Sequence, residues 1–249
     1  LPLRSYMRQR ETLITASATS VQHMQKALSQ MNLHLSNVLS DIVGLTGMKI
    51  IRAIVAGDHD PKKLAEFRDL RCKQPQDIIE KSLTGNYRKE HLFSLAQALE
   101  VFDFYQRQIL NCDKQIEDIL SQLASSHHDS DHKLEDPKPV RKRSSKSATP
   151  RTHRGHGGNV FYFDPLEYLK EIIKVDLTKI PGVEANLAIK ILSEVGTDMK
   201  KWKSEKHFTS WLGLSPENKV SGGKQLSSKT KTSANRAAEG FRLAAFSLH

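Results

Sequence analysis

The sequence has few cysteines, no long apolar run and fewer acidic than basic residues. Its 249 residues contain only two cysteines, Cys72 and Cys112, which lie far apart on separate predicted helices. This usage favours a reducing intracellular compartment over a disulfide framework. No run of about 18 apolar residues occurs, so a membrane span is not expected. Residues 1–4 include no initiator methionine and no apolar signal segment, which predicts that the chain begins inside a longer reading frame.

Positive charge predominates over the whole chain. There are 38 lysines and arginines against 28 aspartates and glutamates, which gives a formal net charge of +10 and a pI of about 9.5. This balance favours an acidic polymer as the partner, and nucleic acid is the leading candidate. Hydrophobic residues make up 38% of the sequence, which is enough for modest cores, so two domains are expected rather than one large one.

Apolar residues recur every seven positions in the first half of the chain, and this period predicts long helices with a heptad seam. Residues 1–124 are therefore predicted to form either an antiparallel helical bundle closed within the chain or a coiled-coil oligomerisation region. The first helix carries its two seam rows at Met7, Ile14, Val21, Leu28 and Leu35 and at Leu3, Arg10, Ser17, Met24 and Met31. A later helix carries similar rows at Leu95, Phe102, Ile109, Ile116 and Leu123 and at Leu92, Leu99, Gln106, Asp113 and Leu120.

Residues 125–159 lack this periodicity and are predicted to form a flexible basic linker. Two functions are open for the linker: a strap that binds phosphates, or a solvated tether. His127, His128, Asp129 and His132 resemble a metal-ligand cluster. However, a disordered tract lacks the second shell that orients imidazole ligands, so no metal site is predicted there. The basic residues of the linker include Lys138, Arg141, Lys142, Arg143, Lys146, Arg151 and Arg154.

Residues 160–249 are predicted to form a compact helical C-terminal domain. Within it, a short helical turn, the tight turn Pro181-Gly182-Val183 and a following apolar helix form the pattern of a helix-hairpin-helix. In such a hairpin the glycine lets the backbone approach a phosphate, and N–H groups of the second helix point at it. Lys190 is a candidate to extend the contact, whereas Glu184 stands where a second glycine is common. Phosphate binding and a purely structural helix corner both fit this pattern.

Ser221-Gly222-Gly223-Lys224 is the second motif of this domain. A serine before two glycines is typical of a turn, but the basic residues that follow would neutralise a phosphodiester under attack. A serine hydroxyl is a weak nucleophile that needs a base or a metal ion, and neither is adjacent in the sequence. The basic residues that follow are Lys229, Lys231, Arg236 and Arg242.

Several segments of this domain occur in an order that is specific to one family. They include residues 177–196, Ser210-Trp211-Leu212-Gly213-Leu214, Asn218-Lys219-Val220-Ser221-Gly222-Gly223-Lys224 and Ser233-Ala234-Asn235-Arg236-Ala237-Ala238. Together they resemble the C-terminal transposase domain of the IS-one-ten group of bacterial and archaeal insertion sequences. The upstream helical half resembles the middle region of that family more loosely.

The resemblance implies a DNA transposase with serine recombinase chemistry. In that family a serine, matched here by Ser221, attacks DNA and forms a covalent phosphoserine intermediate, and an N-terminal RuvC-like domain supplies acidic ligands for Mg²⁺. These residues are expected to begin after that domain, so no metal ligand is predicted in this chain. The implied partners are DNA, a guide (bridge) RNA and further copies of the chain in a dimer or tetramer. The implied location is the bacterial or archaeal cytoplasm, in association with the nucleoid.

The sequence therefore predicts a mainly α fold in three parts, 1–124, 125–159 and 160–249, with the function of a serine-dependent DNA transposase or recombinase. Ser221 is the predicted nucleophile. A non-catalytic nucleic-acid-binding and oligomerisation module is the alternative. The predicted DNA-binding residues are Gly182, Val183, Lys190, Gly222, Gly223, Lys224, Lys229, Lys231 and Arg236.

Overall fold

The computed structural model describes residues 2–129, 160–230 and 235–248. Helices account for 66% of the structure, and the described sheet has only two strands, which confirms the predicted mainly α class. No helix among the described residues is long and apolar enough to cross a membrane. The linker prediction falls almost entirely outside the described residues, except that the helix before it continues to Asp129.

The described residues divide into two compact units. Residues 10–111 and 160–162 form one, here called the helical unit, and residues 2–9, 112–129, 163–230 and 235–248 form the other, here called the C-terminal unit. The first six helices are α1 (Pro2–Gln30), α2 (Leu35–Val38), α3 (Leu45–Val55), α4 (Pro61–Ala65), α5 (Gln76–Ser82) and α6 (Lys89–Asp129). They are followed by α7 (Pro165–Ile173), α8 (Ala185–Val195), α9 (Glu205–Leu212), strands β1 (Lys219–Ser221) and β2 (Lys224–Ser227), and α10 (Arg236–Phe246).

The helical unit is organised around an antiparallel pairing of α1 with α6. Near the end of α1, the Asn86 N–H donates to the Met31 carbonyl at 2.7 Å, and farther along the pair the Gln106 side chain donates to the Ser17 hydroxyl at 3.0 Å. Ser17 and Gln106 are two of the polar seam positions, and their side chains satisfy each other inside the bundle. The two predicted seams therefore meet within one chain, and oligomerisation through them stays a prediction.

Large aliphatic side chains fill the core of the helical unit. Five of its fully buried members come from α1, α3 and α6, and burial of each from water is favourable by about 1.5–3 kcal/mol. An ion pair between Arg52 of α3 and Asp103 of α6, with N–O distances of 2.8 and 2.6 Å, adds a polar contact at the edge. The five core residues are Met24, Leu28, Ile50, Ile51 and Leu95.

Two helices begin at an Asp-Pro pair, one in each unit. Asp60 precedes α4 and Asp164 precedes α7, and each carboxylate accepts a hydrogen bond at 3.0 Å from the backbone N–H two residues later. The following proline stands in the first turn, where its missing N–H leaves no bond unmade. Local sequence therefore sets where both helices start.

In the C-terminal unit, α8 packs closely on α10. A Cβ on Gly240 would lie 2.7 Å from Leu187 Cδ1, so a larger residue there would require the Leu187 side chain to move. Ala237 and Ala238, beside it on α10, are fully buried. The rest of this small core comprises Ile191, Val195 and Leu212, with Trp202, Phe208, Leu214 and Phe241 packed against it.

Candidate functional site

The serine motif forms the tip of a β-hairpin. Gly222 and Gly223 have φ angles of +55° and +76°, as a type I′ two-residue turn requires at both central positions. Because β1 and β2 are antiparallel, Ser221 and Lys224 pair directly across the turn. The two glycines thus have a conformational role, and they place a hydroxyl opposite an ammonium group.

Every residue near the tip of the hairpin is exposed. Val220 and Leu226 remain 61% and 69% exposed, so neither strand has an apolar face packed on the unit. The ladder continues toward the base, where the Glu217 N–H donates to the Lys229 carbonyl at 3.0 Å. A two-stranded ribbon of this kind is marginally stable alone, so its shape depends on the turn and on these ladder bonds.

The Ser221 hydroxyl is accessible to a large substrate. The side chain is exposed, and within the described residues no hydrogen bond joins its Oγ to another group. His207, the histidine closest to it in sequence, has its Nδ1 at 3.4 Å from the Ser204 hydroxyl, at the start of α9. Within the described part of the chain, no base is therefore hydrogen-bonded to Ser221.

Lys219 lies close to Ser221 on the same strand, and the sequence analysis did not include it among the candidate DNA-binding residues. It lies two residues before Ser221 on β1, and residues two apart in a strand share a face. Its register partner is Ser227, because an extra residue on β2 shifts the pairing between Lys219 and Val220. Alternation along Lys219-Val220-Ser221 was a usable signal, but only once the segment was known to be a strand.

The turn predicted to bind phosphate is packed against the last helix. Gly182 has φ +78°, and a Cβ there would lie 2.5 Å from the Ala244 carbonyl oxygen and 2.5 Å from the Ser247 hydroxyl. Val183 is only 4% exposed. These packing contacts are sufficient to explain the presence of Gly182 and Val183, without a bound phosphate. Phosphate binding by this turn stays a prediction.

An aspartate organises the turn that precedes Gly182. The Asp176 carboxylate accepts from the Thr178 hydroxyl and, at 3.0 Å, from the Thr178 N–H, and so starts the short 3₁₀ helix Leu177–Lys179. The Thr178 hydroxyl, more than the nearby lysines, holds the pKa of Asp176 below its usual range. Lys170 Nζ lies 3.7 Å from the carboxylate. The carboxylate is thus held ionised as a structural cap.

The other predicted cations occupy separate elements. Lys229 is exposed at the base of the hairpin, Lys190 is half-buried on α8, and Arg236 is half-buried as the first residue of α10. Asn235 caps α10 by accepting from two backbone N–H groups, which fixes where Arg236 begins the helix. Lys231 lies outside the described residues. Strand pairing thus brings one predicted cation, Lys224, opposite Ser221.

Two arginines from the start of the chain bind the end of α8. The Glu194 carboxylate, 10% exposed, accepts two hydrogen bonds at 2.9 Å from Arg8, and it lies 3.2 Å from Arg4. Arg4 also donates to the Glu194 carbonyl at 2.6 Å, one of the carbonyls that a helix end leaves without an internal partner. Sequence reasoning missed this cluster because its members are distant in the chain.

The described residues include no group of three or more histidine, cysteine, aspartate or glutamate side chains that could hold a metal ion. The donor set for the Mg²⁺ that the resemblance implies is thus not assembled in the described part, and we derive no step through a metal.

Comparison with known proteins gives one match. No curated protein and no solved structure shows significant similarity to the chain. A family model matches about a quarter of the chain, and the matched segment contains Gly182, the hairpin with Ser221, and the start of α10. The match supports a general role in DNA transposition. Residues 176–239 are thus similar to the transposases described as the Transposase IS116/IS110/IS902 family.

Proposed function

We propose that this chain is part of a DNA transposase of the IS116/IS110/IS902 type and that Ser221 is its nucleophile. The observation that carries the proposal is the position of Ser221 within the segment matched by the family model: exposed at the tip of a glycine turn and paired with Lys224. An enzyme that attacks a duplex needs a protruding nucleophile, because a buried hydroxyl does not reach a phosphodiester.

The proposed step is a transesterification. The Ser221 Oγ attacks a phosphorus of the DNA backbone, the Oγ–P bond forms, and the bond from phosphorus to one deoxyribose oxygen breaks. The serine proton passes to a base outside the described residues, and the leaving oxygen takes a proton. Lys224 opposes the charge that accumulates on the phosphoryl oxygens. The product is a phosphoserine link between protein and DNA.

The remaining predicted residues have supporting roles in this proposal. Gly222 and Gly223 shape the loop, and Lys229, Lys231 and Arg236 neutralise neighbouring phosphates. Gly182, Val183 and Lys190 belong to a hairpin that would hold DNA backbone farther from the reaction, through N–H groups at the start of α8 and the charge of Lys190. The Val183 N–H itself donates to the Ile180 carbonyl at 3.0 Å, so the role of Val183 is to shape the turn. The proposed partners are DNA, a guide (bridge) RNA and further copies of the chain. A RuvC-like domain would supply the ligands for Mg²⁺, which activates oxygen nucleophiles and stabilises leaving oxygens in phosphoryl transfer.

A covalent adduct tests the proposal. The intact reading frame, with cognate DNA, its RNA and Mg²⁺, is expected to form a protein–DNA species that survives denaturation on a gel. Ser221→Ala should abolish this species, whereas Ser228→Ala, an exposed serine near the base of the same hairpin, should leave it unchanged. Mass spectrometry should locate the nucleotide on Ser221. An adduct of undiminished yield in Ser221→Ala would remove this serine from the mechanism.

The alternative function, a non-catalytic nucleic-acid-binding and oligomerisation module, predicts a different result. The net charge of +10 supports binding by either function, so binding alone does not separate them. Salt-dependent DNA or RNA binding with no adduct from the intact protein would favour the module.

A further inference from the structure

We infer that the hairpin binds DNA through one defined face, on which Lys219 and Lys224 flank Ser221 and contact the phosphates that neighbour the linkage under attack. This inference rests on the proposed function and deepens it, because it assigns a positioning role to Lys219 and distinguishes the two faces of the ribbon. The partner of this face is the DNA backbone.

The strand register divides the hairpin into two faces. Lys219 and Ser221 share a face because they lie two apart on β1, and Lys224 joins them because it pairs with Ser221. On the other face, Val220 pairs with Gln225. The Gln225 side chain donates to the Asn218 side chain at 3.0 Å across the ribbon. Within β1 and β2, one face thus carries the hydroxyl with two cations, and the other carries neutral groups. Glu217, two residues before Lys219, lies beyond β1, where its N–H bonds to Lys229.

Charge complementarity favours a polyanion on the serine face. Glu217, at the base of the hairpin, is the sole acidic residue of the segment 216–230. Neither Lys219 nor Lys224 has an ion-pair partner in the described part of the chain, and both side chains are exposed. Their charges are therefore available to a ligand rather than committed to the fold.

The spacing of Lys219 and Ser221 along β1 allows the lysine to reach a phosphate next to the one at the serine. Residues two apart in a strand are separated by about 6.6 Å, and lysine carries its charge on a flexible four-carbon stem. When Ser221 is at the phosphorus under attack, Lys219 reaches neighbouring phosphates from farther along β1, and Lys224 reaches them from the opposite strand. Contacts of this kind fix register without reading sequence.

A charge-relocation series in the intact protein tests the face assignment. Lys219→Gln is expected to lower the rate of Ser221–DNA adduct formation about tenfold, a typical loss for one charged hydrogen bond. It should also reduce the slope of log binding constant against log salt by about 0.9, the value for one phosphate contact. Lys219→Arg should retain most of the rate. Lys73→Gln, which removes an exposed charge in the helical unit, is the control and should change neither quantity.

The decisive variant moves the charge without removing it. Lys219→Gln combined with Gln225→Lys keeps the net charge of the hairpin but carries the lysine on the neutral face. We expect it to remain as slow as Lys219→Gln alone. Recovery of the wild-type rate would show that total charge suffices and would overturn the face assignment. A wild-type rate in Lys219→Gln would do the same while leaving Ser221 as the nucleophile. Absence of any Ser221-dependent adduct from the wild type would overturn the proposed function and this inference together.

Discussion

The core of the helical unit and the α8–α10 contact of the C-terminal unit are packed with different residues. The helical unit uses long aliphatic side chains such as Met24, Ile51 and Leu95, all without exposed surface. Where α10 meets α8 and the turn before it, the C-terminal unit uses alanine and glycine. At Gly240 the helix approaches the Leu187 side chain, and at Gly182 the backbone lies against the Ala244 carbonyl. Large side chains exclude more apolar area from water, whereas small ones fix a close approach.

This difference separates stability from the proposed chemistry. The residues matched by the transposase family model lie in the C-terminal unit, and the hairpin with Ser221 contributes no buried side chain. The helical unit has a large buried aliphatic cluster, yet no catalytic motif was found in its sequence. Substitutions that unfold the protein and substitutions that stop the proposed reaction should therefore fall in different places.

The largest expected effect tests this separation directly. Ile51→Ala should lower the free energy of unfolding by about 2–5 kcal/mol, because it leaves a cavity in the core of the helical unit. Val220→Ala, at an exposed β-branched residue of the hairpin, should change it by less than about 0.5 kcal/mol. Urea denaturation followed by circular dichroism measures both. Comparable losses at the two sites would show that the hairpin is part of a core.

Periodic features were predictable because their cause is local. The heptad rows contain the large apolar side chains that are buried along α1 and α6, and two of the four polar residues that interrupt the rows, Ser17 and Gln106, bond to each other. The glycine pair predicted a tight turn, which the φ angles of Gly222 and Gly223 confirm. In each case the pattern lies within a few turns of helix or one turn of chain.

Features that depend on tertiary contact were not predictable. The pairing of Lys219 with Ser227 depends on a strand register that a single extra residue shifts. In the sequence, Glu194 is an ordinary polar residue near the end of an amphipathic helix. Its partners, Arg4 and Arg8, lie at the start of the chain and meet it only in the fold. No local period encodes such pairings. Sequence therefore located the candidate nucleophile but not the full set of side chains around it.

Substitution of Gly182 tests whether close backbone approach stabilises the C-terminal unit. Gly182→Ala should lower the free energy of unfolding by about 2–4 kcal/mol, because the added Cβ is disfavoured by the positive φ and is too close to Ala244 and Ser247. Gly223→Ala is a matched control, because its φ of +76° is nearly the same but its surroundings are open. It should cost about 1–2 kcal/mol, from φ alone. Thermal unfolding of both variants measures the difference, and equal costs would refute a packing role for Gly182.

The smallest expected effect concerns the polar end of α8. Glu194→Gln preserves shape but removes the charge that Arg4 and Arg8 share. Because that carboxylate is largely buried while both arginines keep substantial access to water, we expect a loss of about 1–2 kcal/mol. Glu184→Gln, at the exposed start of the same helix, makes no capping bond and should cost less than about 0.5 kcal/mol.

Salt dependence separates the two explanations of this effect. If the cluster stabilises through its bidentate hydrogen bonds, the difference between Glu194→Gln and Glu184→Gln should persist when urea unfolding is repeated at high ionic strength, since partly buried pairs are weakly screened. A difference that vanishes in salt would instead assign the effect to long-range attraction between α8 and the basic start of α1. In that case hydrogen bonding at Glu194 would add little to the stability of the C-terminal unit, which would come from apolar packing and from the close approach at Gly182.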